Sequence, residues 1–368
     1  MKKSIFVTTW TLGGLGTVLI AAALFGQSPA SSGETKVFPL PDISSVYEVK
    51  VSADRIYISD ARDRNVVLYA LEGVRFLGKI GRPGQGPGEF DSAPKLVLVP
   101  EGLAAKSFSR LAFFSAAGEF LREVKGFNID LMVSGLPVFP LGERNVGFPF
   151  IRDESGPMIE CVGRIYDADW KPVRDFTGRF PSATPAPPPP PGAKRTGPKQ
   201  DALLVKDYVG AAAAGGRIYF ADSRKGISIA VYDGEGTQLS EIKVEAKPVS
   251  VTRSEREKMI SEWREEMKNY LDLFNPVVPD VYPAFFAFRL DGNEIDILTP
   301  VRRDGRYEVI ALDTAGKVLR RSFAFAHEPT WGYLPGIDNR FDIRGGKLYF
   351  VDYNEAAERY ELEVTPLK

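Results

Sequence analysis

Three glycines at alternate positions, Gly84, Gly86 and Gly88, stand in Gly81-Arg-Pro-Gly-Gln-Gly-Pro-Gly-Glu-Phe90, and spaced glycines of this kind can cradle a phosphate. That chemistry needs a strand before the glycines and a helix opening directly after them, so that the helix N-terminus meets the anion. Here Asp-Ser-Ala-Pro94 follows, and then the apolar run Lys95 to Pro100, which is a turn and a new strand. A Gly-Lys-Ser/Thr sequence is also missing, which excludes a P-loop. The segment reads as a wide turn between two sheets.

The remaining reactive residue types are few. His327 is the only histidine, which removes multi-histidine metal centres and argues against a serine–histidine triad. It stands in Ala326-His-Glu-Pro-Thr-Trp-Gly-Tyr333 and reads as a hydrogen-bonded loop histidine. Cys161 is the only cysteine, so no internal disulfide can form, and its alternating context (Met158 to Tyr166) marks it as a small buried hydrophobe. Asp60, Asp222 and Asp352 recur after similar strands, which favours carboxylates that accept backbone N–H groups in the adjoining turn. Oxygen ligands are plentiful enough to leave a calcium site open; no other cofactor is expected, and no residue earns a catalytic assignment. Arg62, Arg64, Arg152, Arg224, Arg302 and Arg303 lie in charged turns that could form a partial ring for an anionic ligand. With His327, Trp331 and Tyr333 they make up a candidate ligand face. Their neighbours Asp63, Asp153, Glu154 and Asp304 support the alternative of solvated, mixed charge.

These residues sit on a repeated pattern. Ile56-Tyr-Ile-Ser-Asp60, Ile218-Tyr-Phe-Ala-Asp222 and Leu348-Tyr-Phe-Val-Asp352 are near copies; weaker ones end at Ser107 and Thr299, and the most degenerate lies near Val146 to Ile151. Each copy is preceded by a strand, and after it come a charged turn, another strand, a tight glycine turn and a last strand. The unit is four short antiparallel strands, repeated about six times at roughly 46 residues once two insertions are set aside. Such a sheet cannot bury both faces alone, and radial stacking solves that problem. The expected fold is all-β: a six-bladed β-propeller with four-stranded antiparallel blades and one helical insertion. The last repeat has three strands, and Thr35 to Leu40 is a spare strand expected to complete it and close the ring, removing two sheet edges.

Gly81 to Pro94, with Gly-Pro-Gly, an aromatic and a proline before the next strand, resembles the linker of NHL-repeat six-bladed propellers. Tyr57 to Asp60 and Val66 to Gly73 fit that repeat too. The chain is also similar to exported bacterial six-bladed propellers of unassigned function. The resemblance implies architecture across residues 31–368, although only the first linker carries the strong motif.

The N-terminus reads as a secretory signal over residues 1–30, with Lys2 and Lys3, the apolar run Leu12 to Phe25, and small residues at Ser28 to Ala30. Cleavage there takes the net charge from -1 to -3, and a periplasmic or extracellular protein results. An uncleaved segment would be the only membrane contact. A charge this close to neutral argues against nucleic acid as a bulk electrostatic partner.

The long irregular segments all fall between blades, on the face that also carries the charged turns, so function is expected there. Residues 180–203 form a proline-rich insertion containing Pro187 to Pro191, either a surface loop or a docking segment. Residues 247–283 hold the one convincing helix, Thr252 to Phe274, with capping-box chemistry at Thr252/Glu255 and Ser254/Glu257. Its stripe of Ile260, Trp263, Met267, Leu271 and Phe274 either packs on the propeller or serves as a lid or partner helix. The leading expectation is an exported, monomeric, non-enzymatic module binding a small molecule, glycan or protein. The alternative is a calcium-dependent propeller hydrolase, lactonase or lyase.

Overall fold

The computed structural model describes residues 34–108, 110–125, 136–151, 160–181, 199–268, 271–327 and 339–368. These residues form six four-stranded antiparallel sheets. Blade 1 is Val46–Val51, Arg55–Asp60, Asn65–Ala70 and Arg75–Ile80. Blade 2 is Lys95–Val99, Gly102–Lys106, Arg110–Ser115 and Phe120–Lys125. Blade 3 is Phe139–Leu141, Arg144–Gly147, Arg164–Tyr166 and Pro172–Asp175. Blade 4 is Val209–Ala214, Arg217–Asp222, Ile227–Tyr232 and Gln238–Val244. Blade 5 is Ala287–Asp291, Glu294–Arg303, Arg306–Asp313 and Val318–Phe325. Blade 6 is Phe341–Arg344, Lys347–Asn354 and Arg359–Pro366.

The two-residue period of a strand explains the stacking. In the second strand of blade 1, Ile56 and Ile58 join a core shared with blade 6, whereas Tyr57 points the other way into a core shared with blade 2. Blades 3 and 4 meet through Phe148, Phe176, Phe220 and Tyr232, and blades 4 and 5 through Ile229, Ile242, Ile297 and Ile310. Second and third strands are almost wholly buried, while fourth strands such as Arg75–Ile80 are largely exposed. Each sheet therefore runs from the axis outward, and the fold is a six-bladed β-propeller.

Lys36–Leu40 pairs antiparallel with Arg359–Pro366, from Lys36 opposite Val364 to Leu40 opposite Tyr360. The N-terminal strand thus supplies the fourth strand of blade 6 and closes the ring, as the spare strand in the sequence requires.

Three details depart from the sequence pattern. The alternating segment Met158 to Tyr166 is split between two sheets. Glu160–Cys161 joins Phe150–Ile151 and Phe180–Pro181 in a three-stranded extension, while Arg164–Tyr166 stays in blade 3. The break falls at Gly163, whose N–H donates to Thr177 Oγ1 at 2.7 Å and whose carbonyl accepts from Phe176 N–H at 2.8 Å.

Helix α1 spans Arg253–Glu266, shorter than the Thr252 to Phe274 expected. Thr252 is its N-cap, and the capping box with Glu255 is complete. At the other end Phe274–Val277 is a strand, paired in parallel with Gln200–Leu203. Backbone pairing there overrides the helical continuation of the apolar stripe, and it ties the end of the proline-rich insertion to the helical one.

The buried face of α1 consists of Met259 and Trp263, with Ile260 and Met267 partly buried. It packs in one core with Phe325, Phe341 and Phe350 of blades 5 and 6. The stripe is covered by the protein's own propeller.

Candidate functional site

The glycine-rich segment is occupied by packing. Gly81 and Gly88 both take φ of 71°, a left-handed backbone that other residues adopt at a cost. A side chain at Gly81 would start 2.3 Å from the Phe90 ring. Phe90 is fully buried between blades 1 and 2, tilted against Phe114 at 6.0 Å between ring centroids. Its N–H donates to the Arg82 carbonyl (2.9 Å) and its carbonyl accepts from Gly84 N–H (3.1 Å). Glu89 caps the turn, accepting from Gly86 N–H at 2.7 Å and pairing with Arg82 at 2.7 Å, and Arg110 donates to the Gly86 carbonyl at 2.7 Å. The hydrogen bonds that a phosphate would need are committed within the turn.

The candidate arginine face is turned largely toward local partners. Arg64 donates to the Asp91 carbonyl at 3.2 Å, while Arg62 stays exposed. Arg224 grips Asp222 with two bonds of 2.8 and 2.7 Å. Arg302 pairs with Glu255 of α1 and lies 4.8 Å over the Tyr307 ring; Arg303 lies 4.3 Å over Phe323. His327 stacks on Phe350 at 3.7 Å between ring centroids, and its Nε2 lies within hydrogen-bond distance of Glu363 Oε2 at 3.2 Å. Arg152, Trp331 and Tyr333 lie outside the described residues.

Asp60 accepts from the backbone of Arg62, Asp63 and Ser44, and Asp222 from that of Arg224. Asp352 differs: it is half-exposed and pairs with Arg340 at 3.1 Å.

The central channel is where groups from all six blades meet. A cavity of about 660 Å³ is lined by the first strand of every blade. That volume lies within the ~300–1,000 Å³ of small-molecule sites. First strands are sheet edges, so their outward backbone groups need partners. Carboxylates from the preceding blade supply two of them. Asp342 of blade 6 accepts from Val51 N–H of blade 1 at 2.8 Å, and Glu48 of blade 1 accepts from Leu96 N–H of blade 2 at 2.6 Å. The same carboxylates hold cations: Asp342 pairs with Arg289 at 3.3 Å and Glu48 with Lys50 at 3.2 Å.

Two more amines complete this wall. Lys95 and Lys106 are cross-strand partners in blade 2, so their side chains leave the same face of the sheet. Lys106 is buried and donates to the Leu136 carbonyl at 3.3 Å. Loss of hydration, reinforced by the Lys95 charge and opposed by Glu48, brings its pKa down to about 7. Lys95 is lowered as well, first by desolvation, with Glu48 opposing and Lys50 adding to the effect.

The channel is chemically two-sided. Blades 1, 2, 5 and 6 contribute the charged groups just named. Blades 3 and 4 contribute Phe139, Pro140, Leu141 and the run Ala211 to Ala214, whose short side chains leave room, with Asp207 and Tyr208 the polar exceptions at the entry to the blade 4 strand. In a six-membered ring, blades 3 and 4 stand opposite blades 6 and 1. An apolar wall therefore faces a charged one. Of the candidate residues from the sequence that are among the described residues, none lines this cavity. Among the described residues, no three His, Cys, Asp or Glu side chains come together in a way that could hold a metal ion.

The family DUF5128, described as a 6-bladed beta-propeller, matches residues 41–96. Among solved structures, an exported protein from Bacteroides fragilis is similar at 8% identity and TM-score 0.49, over 92% of this chain and 96% of that one. A streptogramin B lyase is similar at 11% identity and TM-score 0.38, over 91% and 98% of the two chains. A protein of unknown function from Bacteroides caccae follows at 12% identity and TM-score 0.37, over 75% and 80%. No match was found among curated proteins.

Proposed function

We propose that this chain is an exported, non-enzymatic binding module whose small-molecule ligand sits in the central channel, entered from the face that carries the long connections. The observation that carries the reading is the two-sided cavity of about 660 Å³, with an apolar wall from blades 3 and 4 and charged groups from the other four. Concave, mostly apolar sites with a few convergent polar groups are where proteins hold small molecules. Lys95, Lys106 and Asp342 lie toward the strand ends nearest the long connections, which supports that end as the one the ligand enters. Export rests on residues 1–30, whose charged start, apolar run and small residues fit a signal segment of an NHL-like secreted propeller.

The test is binding of the neutral dye N-phenyl-1-naphthylamine, followed by its fluorescence. Ala212→Phe and Val97→Phe narrow the channel from blade 4 and from blade 2. Both are expected to weaken dye binding at least fivefold in variants that still unfold in one cooperative transition, at a melting temperature lowered by the added ring. Full binding by both folded variants contradicts a channel site.

A further inference from the structure

We infer that the channel ligand is an amphipathic carboxylate, its head group held between the Lys95 and Lys106 amines of blade 2 and its apolar body laid against Ala211 to Ala214 of blade 4. This rests on the channel reading and names the class of molecule that the channel takes.

The head-group position follows from register. Lys95 and Lys106 are directly opposite each other in an antiparallel pair, which sets their side chains about 5 Å apart at the base. Side chains of this length rising from adjacent bases let the two amines reach a single carboxylate, each donating to one oxygen. Glu48 is engaged by Leu96 N–H and by Lys50, and it is the acidic group that faces the two amines from blade 1. Adding an anion offsets the repulsion between neighbouring ammonium groups in a poorly hydrated wall.

The body position follows from size and polarity. Ala211 and Ala213 pack toward blade 3, and Ala212 and Ala214 toward blade 5, so the side chains along this part of the inner strand of blade 4 are methyl groups, set on a backbone edge that borders the channel. Leu136, Pro137 and Val138 extend this apolar surface to the strand end beside the Lys106 contact. An aliphatic chain leaving the lysine pair thus meets mainly hydrocarbon across blades 3 and 4, where Asp207 at the entry to the blade 4 strand is the charged group lining the cavity.

A proton moves with binding. Lys106 is held by its surroundings near the point of half-protonation at neutral pH. A carboxylate beside it favours the ammonium form, so the protein takes up a proton from solvent as the anion arrives. Affinity then falls as pH rises above about 7, because the neutral amine gains less from the anion.

Calorimetry of the full chain with decanoate and with decanol, in phosphate and in Tris at pH 7.5, tests this. Decanoate is expected to bind at least tenfold more tightly than decanol, with net proton uptake given by the difference between buffers. Lys106→Met and Lys95→Met should each cost decanoate at least tenfold and decanol less than twofold. If Lys106→Met does not fold, Lys95→Met and proton uptake by the unaltered chain carry the same test. Equal affinity for the acid and the alcohol, or no proton uptake, overturns the carboxylate assignment while leaving the channel reading intact. Failure of the neutral dye to respond to Ala212→Phe and Val97→Phe overturns the channel reading itself.

Discussion

The Gly81 to Pro94 connection and the central channel are built from opposite kinds of residue and use them in opposite ways. The connection carries the spaced glycines of an anion site, yet the N–H groups of Gly84, Gly86, Glu89 and Phe90 and the Glu89 carboxylate are engaged within the turn, and Phe90 is buried between blades 1 and 2. The channel is lined by lysines, arginines, a glutamate and two aspartates, most of them in ordinary strand positions, and it keeps a cavity beside them. Local motif and local chemistry have come apart. A short segment can satisfy its own polar groups by folding back, whereas residues at the inner edges of separate blades pair across the blade boundaries and leave a cavity beside them.

The largest expected effects fall on the connection and should be confined to stability. Phe90→Ala empties a fully buried site between blades 1 and 2 and is expected to cost about 3–5 kcal/mol. Gly81→Ala places a Cβ against the Phe90 ring on a left-handed backbone and should cost about 1–3 kcal/mol. Urea unfolding measures both, and decanoate affinity of the folded variants should stay within twofold of the parent. A large loss of affinity from either would break the contrast.

A smaller effect separates the two regions by pH. The Lys106 amine has a folded pKa near 7, below the ordinary value of about 10.4 for an unfolded chain. Between those values the unfolded chain holds more protons, so this group makes stability rise with pH from about 7 to 10 and leaves it lowest below 7. Lys106→Met removes that slope. Its melting temperature should exceed the parent's at pH 6, and the advantage should shrink toward pH 10. A constant difference across this range would show that burial does not depress the amine.

Much of the architecture was legible because it repeats. Ile56 to Asp60, Ile218 to Asp222 and Leu348 to Asp352 each announce a second strand, and Thr35 to Leu40 had no partner other than the incomplete last blade. The start of α1 was legible because the Thr252/Glu255 box is local chemistry. Its end was not, since Leu271 and Phe274 continue a helical stripe and only the distant Gln200–Leu203 strand shows why the chain extends there. The channel was hidden for a stronger reason. Glu48, Lys95, Lys106, Arg289 and Asp342 are scattered over nearly three hundred residues and converge only when the ring closes. The one signal available was a charge in the innermost strand of several blades, at positions that a purely packed core would fill with apolar residues.

The arginine turns illustrate the converse. They stood out in sequence as one-sided charge, and the structure pairs Arg224 with Asp222 and Arg302 with Glu255. Charge that is conspicuous along the chain can be neutralised by the residue next to it or by an insertion folded over it.

The central claim is that the ligand lies in the channel, and a crystal structure of the full chain with decanoate tests it most directly. The expected result is a carboxylate bridging the Lys95 and Lys106 amines with its chain along Ala211 to Ala214. Decanoate seated on the outer rim, or a channel still free of it at saturating concentration, would contradict the account.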